Sequence, residues 1–208
     1  MAKKTRRTFK RNIPGKQQNQ ARIPLWVWVA GGILIAVLLV IGLFYLGQQG
    51  PALANSGIEG VEVLPDPGRG HTEEDVHYED DVPVGGVHSS AWQNCGIYAE
   101  SIEEEPAVHS LEHGAVWIAY QPHLPTDQVD ILRNLVRSEL SRVREPLILL
   151  TPKPELEAPI VASAWRVRLE LDDASDERLV EFVQRYQRGP FTPEPGAACT
   201  GGIGQPLN

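Results

Sequence analysis

Six histidines, His71, His77, His88, His109, His113 and His123, fall within 53 residues of a 208-residue chain. Imidazoles so concentrated can converge on a transition-metal ion, or tie loops to a core through hydrogen bonds. The tightest group is His109-Ser110-Leu111-Glu112-His113-Gly114. Residues four apart on a helical turn project from one face, so His109 and His113 can hold an ion between two rings, with Glu112 as ligand, orienting group or base. The string also matches H-x-x-E-H, the inverted zinc-peptidase motif. Pro106 and Gly114 leave seven residues for that helix, where such peptidases need a long buried one. A zinc-dependent hydrolase is therefore the weakest of three readings.

Imidazole suits zinc, copper, iron and nickel. Met1 is the only methionine, which excludes a methionine-rich Cu(I) carrier and denies a blue-copper centre its axial thioether. Zinc or copper on three histidines, with Glu112 or water completing the coordination, fits best. The competing arrangement is a hydrogen-bonded network of His109, Glu112 and His113 that pins loops to a sheet. Other chemistries lack their residues. No nucleophile triad is recognisable, and Gly85-Gly86 and Gly201-Gly202 lack the lysine of a phosphate-binding loop. The function expected is thus a non-catalytic metal-binding module, with an accessory or scaffold subunit of a membrane complex as the alternative.

These residues need an anchor and a frame. Leu25 to Leu46 is a run of 22 residues without a charge, and a spanning helix needs about 20. Trp26, Trp28 and Tyr45 fit interfacial belts. Residues 1–24 carry eight basic side chains and no acidic one, so the N-terminus is expected in the cytoplasm and the remainder outside. Residues 25–46 are read as a transmembrane helix of a single-pass cell-membrane protein. A cleaved signal peptide is the rival, since Ala52-Leu53-Ala54 suits signal peptidases, but signal cores run about 7–15 residues. Of 19 basic residues, removing those eight leaves 11 against 27 acidic ones, so the exported part is net −16. Such a charge repels nucleic acid and favours cations or basic partners. Cys95 and Cys199, the only cysteines, are expected to form a disulfide in an oxidising compartment.

Glycines and prolines in 47–70 suggest a linker, with strand character only at Val61 to Leu64. Residues 71–208 are then one extracytoplasmic domain. His71 to about Pro106 reads as loop. Ala115 to Tyr120 predicts a buried strand. A helix follows from Thr126, with Val129, Leu132, Val136, Leu140 and Val143 on its apolar face. Leu147 to Leu150 and Ile160 to Leu171 predict two further strands joined as a hairpin, and a helix starting near Ser175 presents Leu179, Phe182, Val183 and Tyr186. The order β-α-β-β-α gives an α+β fold, a small mixed sheet covered by two helices, its first two strands parallel.

The stretch from Val108 through His109, Leu111, Glu112, His113 and Gly114 to Trp117, preceded by Gly86-Val87-His88 and Trp92, resembles a bacterial family of membrane-anchored exported proteins of unknown function. That family is marked by Gly-Pro-His and His-Asn-Leu-Glu-His-Gly. The resemblance runs from about His71 to the end and includes Ala162-Ser163-Ala164-Trp165 and the Pro193 to Cys199 segment. Val87 and Ser110 stand where the family usually has proline and asparagine. The resemblance singles out His71, His88, His109, Glu112 and His113 as candidate metal residues, and leaves His77 and His123 aside.

Overall fold

The computed structural model describes residues 24–48, 57–142, 145 and 147–207; within the first helix, side chains are described at residue 25, 27–29 and 31–40. The chain divides into two units, residues 1–51 and 52–208. In the first, helix α1 spans Leu25–Gln48, covering the run expected to be helical. Among the described residues no helix is long and apolar enough to cross a membrane, so the spanning role rests on the sequence alone.

The second unit is a mixed α+β domain. Its main sheet has six strands: β1 (Glu62–Val63), β4 (Gly96–Ile97), β5 (Val116–Tyr120), β6 (Ile148–Pro152), β7 (Ile160–Ala164) and β8 (Val167–Leu171), in the order β1-β8-β7-β5-β6-β4. β5 and β6 are parallel, as a strand-helix-strand crossover requires. The expected β6–β7 hairpin is not formed. β7 instead pairs antiparallel with β5 on its other side. Ile160 to Leu171 is itself the hairpin, turning at Trp165-Arg166 with Arg166 at φ 67°. β7 is buried on both faces while β8 alternates, with Arg168 and Glu170 turned away from the core, so the turn lies where the pattern changes.

Side chains of β5 alternate between two cores. Val116, Ile118 and Tyr120 pack with Val129, Leu132 and Val136 of α3 (Thr126–Arg142) and with Leu179, Phe182, Val183 and Tyr186 of α4 (Glu177–Tyr186). Leu140, expected on the buried face of α3, is 52% exposed, and Val143 lies outside the described residues. Asp176, one residue after Ser175, caps α4 by accepting from the Arg178 amide. On the opposite face Trp117 and Ala119 pack with Leu147, Leu149, Val161 and Trp165, and with Ala107, Val108 and Leu111 of a third helix, α2 (Glu104–Glu112).

That third helix is more than the two-helix expectation held. It starts two residues before Pro106, which a first turn tolerates because its amides have no intrahelical partner. It ends where the Gly114 amide bonds Leu111 O at 2.9 Å and the Ala115 amide bonds Ser110 O at 2.9 Å, with Gly114 at φ 97°. This paired closure needs a residue tolerant of positive φ, and it delivers the chain directly into β5. Beside α2 lies a separate parallel pair, β2 (Arg69–Thr72) and β3 (Gly86–Ser89). The segment from residue 57, expected to be linker, contributes buried Ile58, strand β1 and the start of β2.

Candidate metal centre

Three short elements present the site. In the β2–β3 pair His71 stands opposite His88, and α2 brings His109 and Glu112 from its last turn. The imidazoles of His71, His88 and His109 form a triangle with every pair of ring centroids 4.9 Å apart. One donor atom from each of His71, His88, His109 and Glu112 lies within 4.8 Å of all the others. Donors around a tetrahedral zinc ion, each at about 2.0–2.1 Å, stand roughly 3.4 Å apart. Two of the observed separations bracket that figure: His88 Nε2 to Glu112 Oε2 is 3.0 Å and His71 Nε2 to the same oxygen is 3.9 Å.

The ring orientations are fixed from behind. His88 Nδ1 lies 2.8 Å from Gly86 O, and His109 Nδ1 lies 2.8 Å from Ser89 O. A carbonyl can only accept, so both Nδ1 atoms donate, and a ring that carries one proton keeps its lone pair on Nε2. His88 Nε2 then meets a carboxylate oxygen at 3.0 Å. Two lone pairs face each other there unless a proton or a cation lies between them. Burial holds His109 down to about 4, and the neighbouring His113, His88 and His71 push the same way against the Ser89 carbonyl. Its ring is therefore neutral at pH 7 with an open lone pair.

Surroundings differ on the two sides. Trp165 stands edge-on to His88 with ring centroids 6.1 Å apart, and Trp92 packs on His109 at 5.7 Å. His88, His109 and Glu112 are buried, whereas His71 is 50% exposed and forms the open edge.

His113 departs from expectation. Its ring centroid is 4.6 Å from that of His109, as four-residue spacing implies. Its Nδ1 donates to Ala198 O at 2.7 Å, however, and its Nε2 faces Glu194 Oε2 at 3.8 Å, away from the converging group. His71 takes the place next to His88 and His109. His77 and His123 are exposed. The Cys95–Cys199 disulfide is present, with Cα atoms 5.3 Å apart. It fixes the tail whose Ala198 carbonyl receives His113, while the Glu194 amide bonds Glu112 O at 3.0 Å.

One polar neighbour had no sequence signal of its own. Arg69 Nη1 is 3.8 Å from Glu112 Oε1, on the same face of β2 as His71 because strand side chains two apart share a face. An Arg-x-His pair in a recognised strand would have shown it.

No curated protein and no solved structure matches the chain. Residues 71–201 match the model of a family described as Protein of unknown function (DUF3105), a span that begins at the first ligand candidate and takes in both cysteines. More than half of the chain lies inside that match, and the chain belongs to this family.

Proposed function

We propose that the domain holds one divalent transition-metal ion, zinc or copper, on Nε2 of His71, His88 and His109 and a carboxylate oxygen of Glu112, and that it binds the ion without catalysing a reaction. The observation that carries this is the paired orientation of His88 and His109. Each has its Nδ1 against a backbone carbonyl, His88 turns its Nε2 to the Glu112 carboxylate, and His109 has a donor atom within 4.8 Å of the other three residues' donors. Rings of metal-binding histidines are characteristically held in that way. A purely structural network needs a proton between His88 Nε2 and the carboxylate, whereas a metal ion would satisfy both of these acceptors at once.

Four protein donors also favour holding over hydrolysis. Catalytic zinc sites keep three protein ligands and an open position for water. Glu112 lies inside the converging group and is not left beside it as a base, and α2 has nine residues.

The domain is tethered, in this reading, to the outer face of the cell membrane. Support comes from the uncharged Leu25–Leu46 run, from the 24-residue length of α1, about 36 Å at 1.5 Å per residue, and from the basic residues that precede it.

Metal analysis of the full chain in mild detergent, after reconstitution with zinc and with copper, tests the proposal. Stoichiometric uptake, lost in the His88→Ala and His109→Ala variants, is expected. Uptake no greater than that of the double variant would end it.

A further inference from the structure

Arg69 has no part in the coordination just proposed, and its position is odd for a bystander. A guanidinium 59% exposed reaches within 3.8 Å of a carboxylate that is 4% exposed. It does so from the open edge of the site, on the strand face that also carries half-exposed His71. The charges then do not balance. Three neutral imidazoles and one carboxylate around a divalent ion sum to +1, and Arg69 adds a second positive charge on the solvent side. In a site walled by Trp92 and Trp165 this repulsion is less screened than on an open surface.

We infer that the loaded site takes a small oxyanion of the carboxylate, carbonate or phosphate kind, one oxygen on the metal at the His71 edge and the other on the Arg69 guanidinium. The inference rests on the metal reading above and adds the ligand class. Arginine suits the task because its planar fork matches two oxygens of such an anion. Zinc can expand from four to five ligands, and copper(II) accepts tetragonal coordination, so the fifth position requires no protein ligand to leave. Without metal, the same guanidinium neutralises Glu112.

The test loads the full chain with copper(II) alone and follows its electron paramagnetic resonance spectrum during separate titrations with acetate, bicarbonate and phosphate. At least one anion is expected to shift the spectrum saturably, and comparison of the three titrations names the preferred class. Arg69→Gln should bind copper more tightly than the wild type, because a repelling charge is gone. It should need about tenfold more anion for the same shift, for loss of one charge-assisted contact. Arg69→Lys, which keeps the charge without the fork, should fall between. A copper-loaded wild type whose spectrum none of the anions moves overturns the inference while leaving the metal site standing. So does Arg69→Gln responding as the wild type does. A chain that takes up neither copper nor zinc removes the metal reading, and the oxyanion with it.

Discussion

His71 and His88 face each other across the parallel β2–β3 pair with ring centroids 4.9 Å apart. A one-residue slip of that register would turn one ring to the opposite face. The proposed metal site therefore draws two of its four ligands from a two-stranded element that lies outside the main sheet.

Glu112→Gln separates the readings of the site. If Glu112 ligates, the amide should weaken zinc or copper binding by about 10–100-fold. The metal-free domain should melt no lower than the wild type, since the amide can donate to His88 Nε2 where the carboxylate cannot. A buried ion pair between Glu112 and a protonated His88 predicts the reverse, a loss of about 3–5 kcal/mol of stability. Calorimetric melting and metal titration on one variant decide between them. A hydrolase would keep its metal and lose turnover, which a peptidase assay reads.

His109 should titrate far below an ordinary imidazole in the metal-free protein, with a midpoint of about 4. Well above pH 6.5, by about one unit or more, the ring is neutral in both folded and unfolded chains and contributes nothing to the pH dependence. As pH falls from there toward 4, the unfolded chain takes up a proton that the folded one refuses, so stability declines across that window and levels off below it. Ring-proton shifts in nuclear magnetic resonance, read from pH 7 to 4, check this; a midpoint near 6.5 would contradict the burial described.

Replacing Cys95 and Cys199 together by serine should destabilise the domain by up to about 4.7 kcal/mol, the loop-entropy figure for about 100 enclosed residues. The tail would also release the His113 contact to Ala198 O. Because His113 is outside the converging group, the folded variant should still bind one metal ion. Unchanged denaturation midpoints, or metal lost under conditions where the variant is folded, would count against this arrangement.

Much of this site was legible because two of its residues share one helical turn and the motif names a third. His109 and Glu112 lie one helical turn apart in α2, and the Gly-x-His motif points to His88, which in β3 stands two residues from the glycine whose carbonyl it bonds. His113 misleads for the same reason, since spacing puts its ring beside His109 but does not say which nitrogen faces where. A carbonyl 85 residues away decides that, and the disulfide at Cys199 positions it. Sheet order was equally illegible. Ile160 to Leu171 reads as one continuous strand, and only pairing with β5 on one side and a turn at Trp165-Arg166 divide it. Arg69 was lost when a glycine- and proline-rich stretch hid β2.

X-ray absorption at the metal edge of the zinc-loaded full chain tests the central claim most directly. The predicted shell has three imidazole nitrogens at about 2.0–2.1 Å and oxygen completing it. One nitrogen should be lost in His71→Ala, and none in His113→Ala. A shell that keeps its imidazole count in His71→Ala but loses one in His113→Ala, or that contains water oxygens only, would contradict it.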